Sequence, residues 1–258
     1  MNNKIKEYRK YSNLFTELVR KGIRLKYRRS YLGIIWSLIE PLLTMIVLTL
    51  VFGTLFGHKS KEFPVYILAG RLLYSLFSQS STAALKSIRA NQSMIKKVYV
   101  PKALYPLSAI TFNYILFLIS LIVLLGVSLV LGVYPTWRVL LAVVPLFILF
   151  LLSLGIGLML ATVGVFFRDM EYLWNVLLMF VMYTCAIFYY PDKILESHAF
   201  WILKYNPLFC IISNFRSCVF GTKMDIWMIG YSLIFALVSI LFGAFILEKN
   251  QDKFILYV

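Results

Sequence analysis

Polar side chains recur at helical spacing inside stretches that are otherwise apolar. Arg71, Ser75, Ser78, Thr82 and Lys86 follow one another at 4, 3, 4 and 4 residues, with Gln79 beside them. Ser37, Glu40 and Thr44 are spaced at 3 and 4. Both spacings put the groups on one helix face. Ionisable groups at membrane depth are costly and face a bundle interior or a water-filled cavity. Two compatible readings follow: a structural Glu40–Arg71 pair, and a polar path that hydrogen-bonds a substrate in transit. Counted from opposite ends of their spans, the two backbones differ in depth by roughly 8 Å, which long side chains can bridge. A third set, Asn175, Met179, Tyr183 and Tyr190, lies along one side of a later span and ends in "FYYP". Such aromatics form an interfacial belt or stack on sugar rings in a pore.

Groups for covalent chemistry do not assemble. The sequence has no G-x-x-x-x-G-K-[ST] phosphate loop and no H-E-x-x-H helix. Its two histidines, His58 and His198, are far apart, and no carboxylates cluster. Arg168 and Asp169 are adjacent at a span end, where a gate or a bundle-end ion pair suits them better than an acid–base couple. Three cysteines are an odd count, which argues against a disulfide framework; a Cys210–Cys218 pair is the one bridge the spacing leaves open.

The elements that carry these groups are membrane helices. Of 258 residues, 61 % are hydrophobic and 14 % charged, against roughly a quarter charged in soluble domains. Residues 103–137, 139–167, 172–191 and 226–247 hold no Asp, Glu, Lys or Arg, and about 20 helical residues cross a bilayer. The pattern predicts an all-α polytopic membrane protein with six spans at about 32–56, 64–85, 107–133, 139–167, 173–190 and 226–247. The second is the least apolar and the fifth is short. The first thirty residues carry ten Lys or Arg and the segment 86–102 carries five. The positive-inside rule puts both, and both termini, in the cytoplasm. The net charge of +15 is therefore read as topology, not nucleic-acid binding. Tyr8, Tyr11, Phe15, Leu18, Gly22 and Leu25 make one face of an amphipathic helix within 1–31, suited to the inner leaflet or to a cytoplasmic partner. Between spans five and six, apolar stretches too short to span are broken at Asn206-Pro207, which predicts two short re-entrant or interfacial helices. Residues 248–258 form a cytoplasmic tail. Pro41 and Pro145 predict kinks, and Ser153, Gly157 and Ala161 predict close helix packing.

The segment "NQSMIKKVYVPKALYP" at 91–106 is basic and punctuated. Met94, Ile95 and Val98 beside Lys96 and Lys97 predict a short amphipathic helix ending near Tyr99, because Pro101 biases residue 100 toward extended backbone.

Taken together, these segments resemble the permease subunits of type-2 ABC transporters that export polysaccharides such as O-antigen, capsule and teichoic-acid-type polymers. "LKYRRSYLGIIWSLIEPLL", the 91–106 segment, "FFRDMEYLWN", and "IFYYP" with "KYNPL" and "FR" match that family in order over nearly the whole chain. The resemblance implies a homodimer in the cell membrane bound to two copies of a separate ATPase, which holds the ATP and magnesium; no cofactor sits in this chain. It implies a lipid-linked glycan as substrate. It makes Arg24, Arg28, Arg29, Met94, Ile95, Lys96, Lys97 and Val98 the coupling surface. Trp36, Glu40, Arg71, Ser75, Gln79, Asn175, Tyr183 and Tyr190 become the path, and Arg168 and Asp169 an inner gate. Arg71 departs from the family pattern, where an uncharged residue is expected. A permease for a drug or small lipid, an enzyme acting on lipid carriers and a passive channel are the competing readings.

Overall fold

The computed structural model describes residues 2–28, 31–56, 60–97, 100–191 and 200–254, and these residues are helical with no strand. Among the described residues ten α-helices follow in order: α1 (Asn2–Tyr27), α2 (Trp36–Phe56), α3 (Phe63–Ala90), α4 (Gln92–Ile95), α5 (Leu104–Val130), α6 (Val143–Phe166), α7 (Met170–Thr184), α8 (Phe200–Lys204), α9 (Pro207–Val219) and α10 (Ile226–Asn250). Short 3-10 turns lead into α2 (Gly33–Ile35) and α6 (Trp137–Ala142) and follow α10 (Gln251–Lys253). Four segments, Gly33–Leu55, Leu104–Val130, Trp137–Phe166 and Ile226–Lys253, are long and apolar enough to cross a bilayer. With the shorter helices they describe a polytopic membrane protein.

The helix least apolar in sequence, α3, is the centre of the bundle. Its Phe63, Val65, Ile67, Leu68, Leu73 and Leu85 are fully buried, against α2, α5, α6, α7 and α9. A helix shielded from lipid by its neighbours tolerates the hydroxyls and charges that made it read as a weak span. The peripheral α2 is the reverse: strongly apolar, with none of residues 36–55 fully buried. α6 and α10 approach closely. A Cβ added to Gly155 would sit 2.6 Å from Ser239 Cβ, and one on Gly243 would sit 2.7 Å from the Gly155 carbonyl oxygen. Small residues thus set this interface, although the expected stripe of Ser153, Gly157 and Ala161 is not the one at the α10 contact; Gly157 instead meets Ile110 and Ala84.

Pro41 and Pro145 behave differently. Pro145 falls in the first turn of α6, where no donor is missed. Pro41 lies inside α2 and cannot donate to the carbonyl of Ser37. Ser120 Oγ from α5 donates to that carbonyl at 3.0 Å, so the freed acceptor is satisfied by a neighbouring helix.

The fifth span was expected over 173–190, but α7 ends at Thr184. Its 15 residues give about 22 Å, short of a roughly 30 Å hydrocarbon core. Residues 185–190 form a turn in which Ala186 has φ +48°. The turn is held from outside. Arg216, 5 % exposed, donates from Nε to the Tyr66 carbonyl at 3.1 Å, from Nη1 to the Ala186 carbonyl at 2.9 Å and from Nη2 to the Ile187 carbonyl at 3.4 Å. Its guanidinium lies 3.4 Å from the Tyr66 ring centroid. Asn206 caps α9 by accepting from the amides of Leu208 and Phe209. Its amide donates to Thr184 Oγ1 at 3.1 Å. Helices are present where two re-entrant helices were expected, α8 and α9, parted at Asn206-Pro207. All three cysteines are free and buried, so Cys210 and Cys218 are not bonded.

Candidate functional site

The expected polar faces of α2 and α3 meet. Ser37, Glu40 and Thr44 from α2 and Arg71, Ser75 and Gln79 from α3 line one cavity of ≈ 60 Å³, room for a few waters. Leu72, Leu76, Leu116 and Phe117 form its apolar wall. No ion pair joins Glu40 to Arg71; the ion pairs of the described residues lie elsewhere. The Arg71 guanidinium turns toward α7, donating to Met182 Sδ at 3.8 Å and lying 5.6 Å from the Tyr74 ring centroid.

Three polar lining residues were not foreseen in this role: Lys26, Asn113 and Ser120. Asn113 and Ser120 are seven residues apart on α5, a same-face spacing that was present in the sequence. Lys26 comes from the amphipathic arm. Its Nζ donates to Gln79 Oε1 at 3.2 Å and lies 5.9 Å from the Phe112 ring centroid. Partial burial pushes its pKa below the ordinary lysine value, and the Glu40 carboxylate opposes that shift. α1 therefore reaches the cavity with a cation while packing along α5, where Gly22 allows close contact with the Phe112 ring.

Other expected path residues stand apart. Trp36, Asn175 and Tyr183 are exposed on the outside of this single chain, and none lines the cavity. Tyr190 packs on Tyr66, with ring centroids 4.6 Å apart, and lines a separate cavity of ≈ 430 Å³ with Ser213, Arg216 and Ser217.

The ion pairs at the expected inner gate involve a different acid. Arg168 and Asp169 are exposed and do not pair with each other. Glu171, two residues on, is the bridging acid: it pairs with Lys86, and its other oxygen is 3.8 Å from Arg89 Nη2. Above it Trp174 Nε1 donates to Ser81 Oγ at 3.0 Å and Tyr74 Oη donates to the Leu178 carbonyl at 2.8 Å. With Arg71 on Met182, these make a ladder of polar contacts along the whole α3–α7 seam. Leu178 is the one fully buried residue of α7.

On the expected coupling surface, Arg24 is exposed on α1 and Arg28 in the turn just after it, and Lys96 and Lys97 are exposed after α4. Ile95 is buried with Ile88, Tyr105 and Phe254, and Met94 packs against that cluster. Arg29 and Val98 lie outside the described residues, as do His58 and His198. Among the described residues no three His, Cys, Asp or Glu side chains group to hold a metal.

The described residues thus form an all-helical bundle with four segments long and apolar enough to cross a bilayer, a basic arm packed on it and a polar cavity between α2, α3 and α5: the class is a membrane protein with a polar interior. Residues 13–220 match the ABC-2 type transporter family, and the chain belongs to it. It is 27 % identical over 221 residues to the O-antigen export system permease protein RfbA of Myxococcus xanthus, covering 85 % of each chain. It is 26 % identical to the Klebsiella pneumoniae protein of the same name, over 94 % of this chain and 93 % of the other. It is 24 % identical to the polysialic acid transport protein KpsM of Escherichia coli, over 90 % and 91 %. As an ABC-2 membrane subunit it works with a partner ATPase subunit and is not itself the catalytic component.

Proposed function

We propose that this chain is the permease through which an ABC exporter moves a lipid-linked polysaccharide from the cytoplasmic to the outer face of the cell membrane. The polar cavity between α2, α3 and α5 carries the reading. It presents hydroxyls, amides, two cations and one carboxylate, Glu40, with no second acid or histidine among its lining residues to make a hydrolytic pair. The relatives named for O-antigen and polysialic acid transport support a glycan as cargo. In this reading six segments cross the bilayer, with α3 and the α7–turn unit as the second and fifth. Both termini are cytoplasmic, and α8 and α9 form a re-entrant pair on the outer side. Two copies associate with two copies of the ATPase. The exposure of Glu40 and Asn175 on a single copy supports that stoichiometry, because such groups are costly against lipid and are tolerated facing a shared aqueous passage.

The test is depletion of the protein in its native host. Glycan should vanish from the cell surface and accumulate in lipid-linked form inside, with drug sensitivity unchanged, and the wild-type gene should restore export. Unchanged surface glycan would reject the reading; altered drug sensitivity alone would assign a small-molecule cargo instead.

A further inference from the structure

Two cavities follow one another along the groove between α3 and α5. The polar one, of ≈ 60 Å³, takes Ser75 and Gln79 from α3 and Ser120 and Asn113 from α5. The next, of ≈ 220 Å³, takes Ala83 and Ser87 from α3 and Phe112 and Ala109 from α5. From the first to the second the α3 numbers rise and the α5 numbers fall, so the cavities are consecutive sections of one groove. α1 roofs the second with Leu18, Gly22 and Leu25 and reaches the first with Lys26 alone. The boundary between the two is therefore made of side chains. Lys26 Nζ donates to Gln79 Oε1 at 3.2 Å and lies 5.9 Å from the Phe112 ring centroid. Lys26 and Gln79 are both exposed, so their bond spans a mouth of the polar cavity and is not sealed in its wall. The arm that carries Lys26 is lightly held. Among the described side chains of α1 only Val19 is buried. Two exposed lysine–amide bonds reach α3, Lys26 to Gln79 and Lys21 to Asn91. Between them Gly22 rests on the Phe112 ring, where a Cβ would come within 3.1 Å. A helix with so few buried contacts and with exchangeable bonds can move without opening the core.

We propose that Lys26 is a latch. Its bond to Gln79 closes the mouth of the polar cavity, and movement of α1 away from Phe112 breaks that bond and joins the two cavities into one passage. The chemistry of the contact suits a closure that opens repeatedly. Its acceptor is a neutral amide, and an exposed hydrogen bond adds little net stability. The polar cavity has a carboxylate, Glu40, yet Lys26 forms no ion pair with it; a full pair there would hold the arm more firmly. That the opened passage admits the carrier end of a lipid-linked glycan rests on the export function proposed above; the latch itself does not.

Access to the cavity is the readout. Ser75→Cys puts a reporter thiol on its wall, and the three native cysteines are buried. The full permease–ATPase complex in lipid nanodiscs is treated with an uncharged polyethylene-glycol maleimide, and the rate of modification is followed by gel shift. The complex without the reporter gives the background. Lys26→Met, which removes the ammonium and keeps the stem, should raise the rate about fivefold, the population shift that loss of one exposed hydrogen bond permits. Gly22→Leu, which props α1 off the Phe112 ring, should raise it at least as much. Lys21→Met, which cuts the arm's other tie to α3 away from the polar cavity, should leave the rate at the wild-type value. Co-purification of the ATPase with each variant reports that the fold is intact. Wild-type rates in both Lys26→Met and Gly22→Leu would overturn the latch. An equal rise in Lys21→Met would overturn it too, since the whole arm would then be fraying. No glycan enters the measurement, so its failure leaves the surface-glycan test of export untouched.

Discussion

Lys26 shows how one side chain can belong to two systems. By sequence it is one of ten basic groups in an arm that reads as a topology signal; in the fold it bonds to Gln79 at the cavity between α2, α3 and α5. Its lowered pKa has a sign that can be checked. The folded state holds the proton less tightly than the unfolded chain, so between the folded value and 10.5 the unfolded chain binds more protons. Stability contributed by this group therefore rises with pH across that window. The melting midpoint of the complex should climb more steeply toward pH 10.5 in wild type than in Lys26→Met, measured by differential scanning fluorimetry; parallel curves would contradict the assignment. Glu40, Arg71, Ser75 and Gln79 were legible as one site because helical spacing survives in sequence. Lys26 was not, because its place depends on how α1 crosses α5. Glu171 was missed for a related reason: an ion pair across two helices is fixed by their register, which no spacing within one helix reveals.

Among the elements, α7 is tied to the bundle chiefly by polar rungs from α3, while Tyr172, Leu173, Val176 and Phe180 on its other sides are exposed. A helix held by exchangeable hydrogen bonds, with one fully buried side chain, is poised to shift relative to α3 without opening the core. Ser81→Cys with Trp174→Cys, joined by a short bis-methanethiosulfonate linker across the space the indole leaves, should stop transport while leaving ATP hydrolysis running. Reduction should restore it, and undiminished export by the cross-linked protein would show α7 to be static. The helices themselves were largely legible from their apolar runs. The end of α7 was not: no proline or glycine occupies 172–190, and the turn at 185–190 is imposed by Arg216 and Asn206, more than fifteen residues downstream. The central role of α3 was hidden too, since hydropathy measures fitness for lipid, and a helix at the middle of a bundle meets little lipid.

For the whole molecule, the exposed Glu40, Asn175 and Tyr183 are the residues a second copy would enclose. The purified permease–ATPase complex should contain two copies of this chain by light scattering. Asn175→Cys should be labelled by a water-soluble maleimide in intact membranes, as a position facing an aqueous passage would be; a purely lipid-facing position would stay unlabelled. The sequence supplied class, spans and polar faces for this proposal. The surface between copies was not legible, because apolar residues facing lipid and apolar residues facing a partner have the same composition.

Arg216 carries a lesson about synthesis. It is a cation on a 13-residue apolar helix, in no ion pair among the described residues and held by the carbonyls of Tyr66, Ala186 and Ile187. None of these acceptors belongs to its own helix, and all leave the ribosome before it does. The α9 helix therefore has acceptors for its guanidinium only where α3 and the turn after α7 are in place. A chain in which α3 is misplaced would lack the Tyr66 carbonyl and ring that receive this guanidinium, so the packing of α9 depends on segments made well before it.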